Sequence, residues 1–430
     1  MILHTSYIIH YYHMKRNLSF LLMPFLAVLY SCSSSSSASN NVIDVESVIG
    51  TGKIRNASDY IKEIKYIPLE TSREAMVGNI RKIFIHDKKI YVSDDKKVIN
   101  IFDMDGRHLN TLNRTGRGPE EYLNLTDFTI DSKGNIFIAS QNEGIIEYDT
   151  NLNFIKKRLP GKDESAGFID ILKLKEGLFS SNTFKIDFTA GAHEQRWTIY
   201  DDSLNTKFSY SSKPASAANN SNGGGMAITI RLDPYQQYLY NNTLNIYKIG
   251  NDTIFNVDFE NNYLKSARYI INTGKYRYLE EMGSSIQGAP TDLKAISLDD
   301  LIEADNYIFI KFNFRGLAPE SFEQDGDYAI LNGERINMGG EKNTDVYAVY
   351  NKRNGKLEIL NQPIPKKFGL KDDITKGEVF WPKFVTKDQK LLSSHNAFDL
   401  VILAEEGKID RSVIGNLKED DNPVIVIATL

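Results

Sequence analysis

The densest cluster of groups able to do chemistry is Thr115-Gly116-Arg117-Gly118-Pro119-Glu120-Glu121-Tyr122. Gly116-x-Gly118 is the kind of spacing that lets backbone N–H groups face a phosphate. That use needs a following helix and a Lys-Ser/Thr pair. Pro119-Glu120-Glu121 follows instead and would repel an anion, so a tight turn between structural units accounts for the glycines better. Arg117, Glu120 and Tyr122 remain candidates to line a ligand pocket. The bland alternative packs Tyr122 beneath the turn and pairs Glu120 with an arginine.

Other candidates are scattered. Glu120-Glu121, Asp299-Asp300, Asp372-Asp373 and Asp420-Asp421 invite comparison with Ca²⁺ ligands or glycosidase acids. Adjacent acids point to opposite faces of a strand, and none has Ca²⁺-loop spacing, so solvated turns are the expected setting. His395 follows Ser393-Ser394, but no Gly-x-Ser-x-Gly elbow occurs, and sequence neighbours rarely form a triad. Trp381, after Phe380, offers either a sugar-stacking ring or a core aromatic. Outside the first thirteen residues the histidines are His86, His108, His193 and His395, without the close pairing of a metal site. No catalytic residue, metal ligand or cofactor is assigned from these patterns; His395 and Trp381 join Arg117, Glu120 and Tyr122 as candidate ligand-binding residues.

Something must hold these groups in place, and internal repetition shows what. Ile80–Ile85, Ile90–Asp94, Val98–Asp103 and His108-Leu109 are followed, after Thr115–Tyr122, by Leu125–Ile130, Ile136–Ser140, Gly144–Asp149 and Phe154-Ile155. Ile90 to Ile136, Phe102 to Tyr148 and Asp103 to Asp149 share one offset of 46. Ile199–Leu204 is a looser third copy. Asp103 and Asp149, recurring at equivalent places, are expected to cap turns. The apolar runs do not alternate cleanly, which predicts sheets covered on both faces, as in a propeller blade.

Later units are longer. Leu244–Tyr247 with Asp252–Val257, Tyr307–Phe314 with Val346–Tyr350, and Phe398–Leu403 with Val424–Ala428 continue the rhythm. Six units fit better than eight. The expected fold is an all-β, six-bladed β-propeller over residues 59–430, with the lone strand Ile64–Leu69 joining the C-terminal blade to close the ring. Ser211–Gly225 is low-complexity and reads as a loop, and Tyr276–Leu301, with Tyr278–Met282, as an inserted loop or short helix.

Composition excludes some classes. Hydrophobic residues make up 41% and charged residues 25% of the 430-residue chain, within the globular range, and the net charge of −5 argues against nucleic acid as partner. Lys15-Arg16, an apolar stretch and Leu29-Tyr30-Ser31-Cys32 have the parts of a secretory signal over residues 1–31 ending in a lipobox-like motif. Cys32, the single cysteine, is then the lipidation site, and 32–58, opening on five serines, a lipidated tether. The stretch is short for a transmembrane helix and contains Pro24. A domain without disulfides must rest on core packing.

Thr115–Tyr122 resembles the Gly-x-Gly-Pro-x-Glu-Tyr signature of the six-bladed β-propeller lipoproteins of Bacteroidetes. Ile67–Thr71, Asp252–Phe255, Phe380-Trp381-Pro382 and Asp421–Val424 resemble further segments of that family, in order, from about residue 64 to the end. The repeat is also distantly similar to the NHL type. The resemblance implies a six-bladed propeller on an exported lipoprotein, and carries no agreed activity or site. Serines rather than acids after Cys32 favour the periplasmic face of the outer membrane over the cell surface. The expected role is a non-catalytic, lipid-anchored binding module of the cell envelope facing a protein or glycan partner. The alternative is a propeller enzyme, a lactonase-like hydrolase or glycan lyase, with a histidine beside two carboxylates at the channel mouth; a purely structural lipoprotein is the third reading. Met14 has better signal chemistry behind it than Met1 and is the expected translation start; a precursor peptide containing His10 or Tyr12, sought by mass spectrometry, would contradict this.

Overall fold

The computed structural model describes residues 41–141, 143–161, 167–187, 192–211, 215–216, 235–248, 250–261, 263–278, 293–323, 328–331, 334–337 and 342–430. Six small antiparallel sheets follow one another around a ring. Blade 1 consists of Ile80–His86, Lys89–Asp94, Ile99–Asp103 and His108–Leu112, from the inner strand outward. Blade 2 consists of Asp127–Ile130, Ile136–Ser140, Gly144–Tyr148 and Phe154–Arg158. Blade 3 is built on Leu172–Lys175, Leu178–Asp187, Ala192–Asp201 and Thr206–Ser211, and blade 4 on Tyr235–Tyr240, Thr243–Lys248, Thr253–Asp258 and Leu264–Asn272. Ser297–Glu303, Tyr307–Asn313, Asp345–Asn351 and Lys356–Leu360 make blade 5. Blade 6 joins Phe384–Val385, Leu391–His395 and Val424–Thr429 to Glu63–Pro68, its outermost strand.

The imperfect alternation of the apolar runs has a direct explanation. Successive strand residues point to opposite faces, and in a blade both faces are core. Ile90 and Val92 pack toward blade 6, with Leu392, Ile425 and Ile427, while Tyr91 between them packs toward blade 2, with Phe128 and Ile138. The same division recurs around the ring. Phe137 and Ile145 meet Phe179 and Tyr200, Trp197 and Ile199 meet Leu244 and Ile246, Tyr247 and Ile254 meet Leu298 and Ile310, and Phe309 and Val349 meet Leu391 and Val426. Each such side chain, once buried, contributes roughly 1.5–3 kcal/mol, so a blade removed from its neighbours forfeits the contacts on both sheets.

Closure works as expected. Glu63–Pro68 runs antiparallel to Val424–Thr429 in unbroken register, from Glu63 opposite Thr429 to Pro68 opposite Val424. Pro68, which lacks an N–H, ends the strand at the sheet edge, where a donor is dispensable. Asn422 fastens the junction: its side chain accepts from the Val77 N–H at 2.9 Å and donates to the carbonyls of Glu70 and Ala75.

Turns on one side are short and capped by an acid or its amide. Asp103, Asp149, Asp201 and Asp258 each accept backbone N–H groups from the residues that follow, and Asn351 takes this position in blade 5. The equivalence of Asp103 and Asp149 thus extends to Asp201, which also pairs with Lys207.

Three readings are corrected. The tether ends sooner than residue 58. Val42–Asp44 adds a parallel fifth strand to the rim of blade 4, Lys53 bridges to Leu360 on the rim of blade 5, and Ile43, Val45 and Ala57 are buried. This segment crosses the rims of blades 4 and 5 before entering the closing strand; its apolar residues were too widely spaced to show a period. Phe398–Leu403 lies within an α-helix, Ala397–Glu405, which buries Ala397, Leu400, Val401 and Leu403 against Ile409, Ile414 and Leu417. A short apolar run of mixed branching cannot be told from a strand by periodicity. Within Tyr276–Leu301, residues 297–301 belong to the inner strand of blade 5; 279–292 lie outside the described residues, as does most of Ser211–Gly225.

Ile67→Ala, at a fully buried position on the closing strand, is expected to lower stability by about 2–5 kcal/mol. Chemical denaturation checks this, and a loss below about 1 kcal/mol would mean that the closing strand carries little of the ring.

Candidate functional site

Antiparallel connectivity sorts the loops. The connections between the first two and the last two strands of each blade emerge on one side, and on that side they are tight turns. The connections between middle strands, and those from one blade to the next, emerge on the other. There run the Thr115–Tyr122 loop, the described parts of blade 5's middle connection (314–323, 328–331, 334–337 and 342–344), the crossing 361–383 into blade 6, and 396–423 with its helix. The candidate residues all lie on this loop-rich side, in two groups separated around the ring.

The first group belongs to the crossing from blade 1 to blade 2. Tyr122 is fully buried, its hydroxyl donates to the Lys97 carbonyl at 3.0 Å, and burial pushes it up to about 12. Thr115 and Tyr122 form a β-bridge, and the Gly116 N–H donates to the Tyr122 carbonyl at 3.0 Å. The glycines are needed by the loop itself. A Cβ on Gly116 would collide with the Glu121 carboxylate, which accepts the Gly118 N–H at 2.7 Å. The N–H that a phosphate would want is therefore occupied by the chain's own acid. Arg117 and Glu120 are exposed; Glu120 uses its carbonyl, which accepts the Tyr148 hydroxyl at 2.7 Å.

The second group lies where blade 5 meets blade 6. Trp381 is half-buried, edge-on to Tyr347 with centroids 4.6 Å apart and to Phe309 at 5.6 Å. Tyr347 in turn stacks on Phe368 at 4.8 Å, and Phe368 on Phe322 at 6.0 Å. His395 stacks at 6.4 Å on Tyr66 of the closing strand. Its Nε2 is buried without a hydrogen-bond partner. Burial, with Lys383 and Lys367 nearby, depresses the ring to about 3, so it is neutral at ordinary pH. Tyr66 donates to Asp372 at 3.1 Å, and Lys367 pairs with Glu378 at 3.3 Å.

The acid pairs do separate work. Asp372 caps the Ile374 and Thr375 N–H groups, Asp373 accepts from Ser58, and Asp421 accepts from the Lys418 N–H. Asp299 pairs with Lys311 at 2.7 Å. Asp300 departs from the solvated-turn reading: it accepts from Tyr247 across the blade 4–5 boundary, and burial raises it. Among the described residues no three His, Cys, Asp or Glu side chains are grouped to hold a metal ion. His108 contacts Thr111 at 2.9 Å rather than a pair of carboxylates.

Polar groups that the sequence did not single out tie blades together. The fully buried Glu303 carboxylate takes Arg268 at 2.6 Å and Lys352 at 2.8 Å, with the Tyr238 hydroxyl donating at 2.9 Å. Arg158 joins Glu147 at 2.7 Å to Asp202 at 2.8 Å across blades 2 and 3. Asp170, raised to about 6 by burial, accepts from Asn182 and from Gln237 of blade 4. Their partners are distant in sequence and carry no motif.

This is the architecture of an all-β propeller without an assembled catalytic constellation among its described residues. The chain belongs to the DUF4934 family, a domain of unknown function, which matches residues 40–429. Among solved structures it is similar to an exported-class protein of Bacteroides fragilis, at 16% identity and a TM-score of 0.59, covering 91% of this chain and 99% of that one. A DUF4221 member from Bacteroides vulgatus aligns at 13% identity and a TM-score of 0.46, over 86% of this chain and 96% of that one. A search of curated proteins gave no match.

Two neighbouring acids should behave oppositely. Glu121→Ala, which leaves the Gly118 N–H without its acceptor, is expected to cost about 1–2 kcal/mol, and Glu120→Ala, on an exposed side chain, less than about 0.5 kcal/mol. Parallel urea titrations check this, and equal losses would contradict the assignment of Glu121 as the loop's internal cap.

Proposed function

We propose that the chain is a non-catalytic binding module, exported and held at the bacterial envelope by a lipid on Cys32, with its loop-rich side turned to a glycan or protein partner. The observation that carries the binding part is the asymmetry of the ring. Acid-capped turns finish one side, whereas long connections and the half-buried aromatics Trp381, Tyr347 and Phe368 occupy the other. Half-exposed rings beside charged groups suit carbohydrate or peptide recognition, because such sites combine apolar contact with a few oriented polar groups.

The motif ending in Cys32 and the likeness to an exported Bacteroides protein support the envelope assignment. Among the described residues no helix is long and apolar enough to cross a membrane. The outer membrane's periplasmic face is the proposed location, since serines rather than acids follow Cys32. A lactonase-like or lyase reading would need a histidine flanked by two carboxylates; His395 has lysines near it and His108 a threonine.

Full-length protein and Cys32→Ala, expressed in a lipoprotein-processing bacterium, test the anchor by detergent phase partition. The wild type is expected in the detergent phase carrying acyl chains by mass spectrometry, and the variant in the aqueous phase. Wild type and variant partitioning alike would overturn the anchor.

A further inference from the structure

Residues 41–58 strap the rims of blades 4 and 5 and leave one stretch of sheet edge uncovered. On blade 4 the strap behaves as a fifth strand, with Val42, Ile43 and Asp44 parallel to Ile270, Ile271 and Asn272. On blade 5 it repeats the move for one residue, Lys53 opposite Leu360. There the Lys53 N–H donates to the Ile359 carbonyl at 3.1 Å and the Asn361 N–H to the Lys53 carbonyl at 3.0 Å. Between these attachments the chain coils through a short 3₁₀ helix, Glu46–Val48. The N–H groups of Val48, Ile49 and Thr51 go to the carbonyls of Val45, Glu46 and Val48, so the coil spends them on itself.

The coil stands off from the outer strand of blade 5, and a cleft of about 420 Å³ lies between them. Val48, Thr51, Lys53 and Arg55 line it on one side and residues 355–359 on the other. That is the size of a cleft that takes a ligand. In an antiparallel pair the N–H and C=O of one residue point the same way, and successive residues point to opposite sides. Ile359 gives its carbonyl to Lys53, so its N–H and both backbone groups of Leu357 also face outward, away from Asp345–Asn351. Among the described residues the strap's backbone bonds this edge at Lys53 alone. The strand is held in shape because the Leu357 and Ile359 side chains are buried.

The charges around the cleft have one sign left over. Arg55 and Glu358 pair at 2.5 Å, Glu358 also takes the Tyr60 hydroxyl, and Asp44 accepts from the Asn272 side chain at 3.1 Å. Lys53 and Lys356 make no ion pair among the described residues. We propose that this cleft takes an extended, acidic peptide segment of a partner protein, which adds to the outer edge of blade 5 as a fifth strand. Leu357 and Ile359 supply the backbone ladder, as sheet edges do for added strands, and Lys53 and Lys356 face the segment's carboxylates. The fifth strand on blade 4 shows that a blade rim of this ring accepts such an addition. The surface lies on the rim and is independent of the reading given to the loop-rich side.

The test uses full-length protein in detergent, with affinity read by isothermal titration and strand addition by amide hydrogen exchange. The probe is an end-blocked peptide of alternating valine and glutamate, about eight residues long. One control carries lysine in place of glutamate, and another carries N-methyl groups on its internal amides, which removes the ladder donors. Saturable binding of the acidic peptide with slowed exchange at 357–359 is expected, with neither effect from the N-methylated peptide. The double variant Lys53→Glu with Lys356→Glu is expected to bind at least tenfold more weakly. Equal binding of the lysine peptide would overturn the acidic partner, and equal binding of the N-methylated peptide would overturn strand addition. Unchanged exchange at 357–359 with the acidic peptide would overturn the site. Both lysines are exposed, and the comparison of the three peptides on wild-type protein stands by itself should the variant fold poorly.

Discussion

The constraint on which the molecule depends is that no blade can cover itself. Each sheet is apolar on both faces, so every blade needs two neighbours, and the sixth finds its last strand at the start of the chain. Glu63–Pro68 beside Val424–Thr429 is therefore more than a strand pairing. It turns an open row of sheets with two exposed ends into a ring with none, and the burial at all six boundaries becomes mutually dependent. Without disulfides, this mutual dependence carries the domain. Residues 41–58 reinforce it by crossing the rims of blades 4 and 5 on the way to the closing strand.

Closure also determines where function can reside. With inter-blade faces committed to packing and one side finished by short turns, variation in length is tolerated on the remaining side. Blade 5 extends there by the described parts of its middle connection, 314–323 among them, and blade 6 by 396–423, with its helix supported by a small core of its own. The loop with Gly116 and Gly118 lies on that side too, but its glycines and Glu121 serve its own geometry. His395 Nε2, one of several buried side-chain atoms without a partner among the described residues, lies on blade 6.

Much of this was legible in the sequence because a repeat reports tertiary structure locally. The offset of 46 between Phe102 and Tyr148 and between Asp103 and Asp149 identified the blade, and the lone strand at Ile64–Leu69 identified the closure. What escaped has physical reasons. The helix at Ala397–Glu405 is too short for its period to stand out. The parallel strand at Val42–Asp44 has three residues and no turn signal. At the candidate site, Arg117, Glu120, Tyr122, Trp381 and His395 were all chosen by type, but the ring distributes them between two boundaries. The polar groups that tie blades together, Glu303, Arg158 and Asp170, find partners distant in sequence and so carry no motif.

The central claim is that the loop-rich side is the working surface of a closed ring. Hydrogen exchange of the full-length protein in vesicles of bacterial envelope lipid, with and without an envelope oligosaccharide, tests it most directly. The account predicts added protection in 361–383 and none in the turns at 104–107, 149–153 and 202–205. Protection confined to those turns would place the working surface on the opposite side and contradict it.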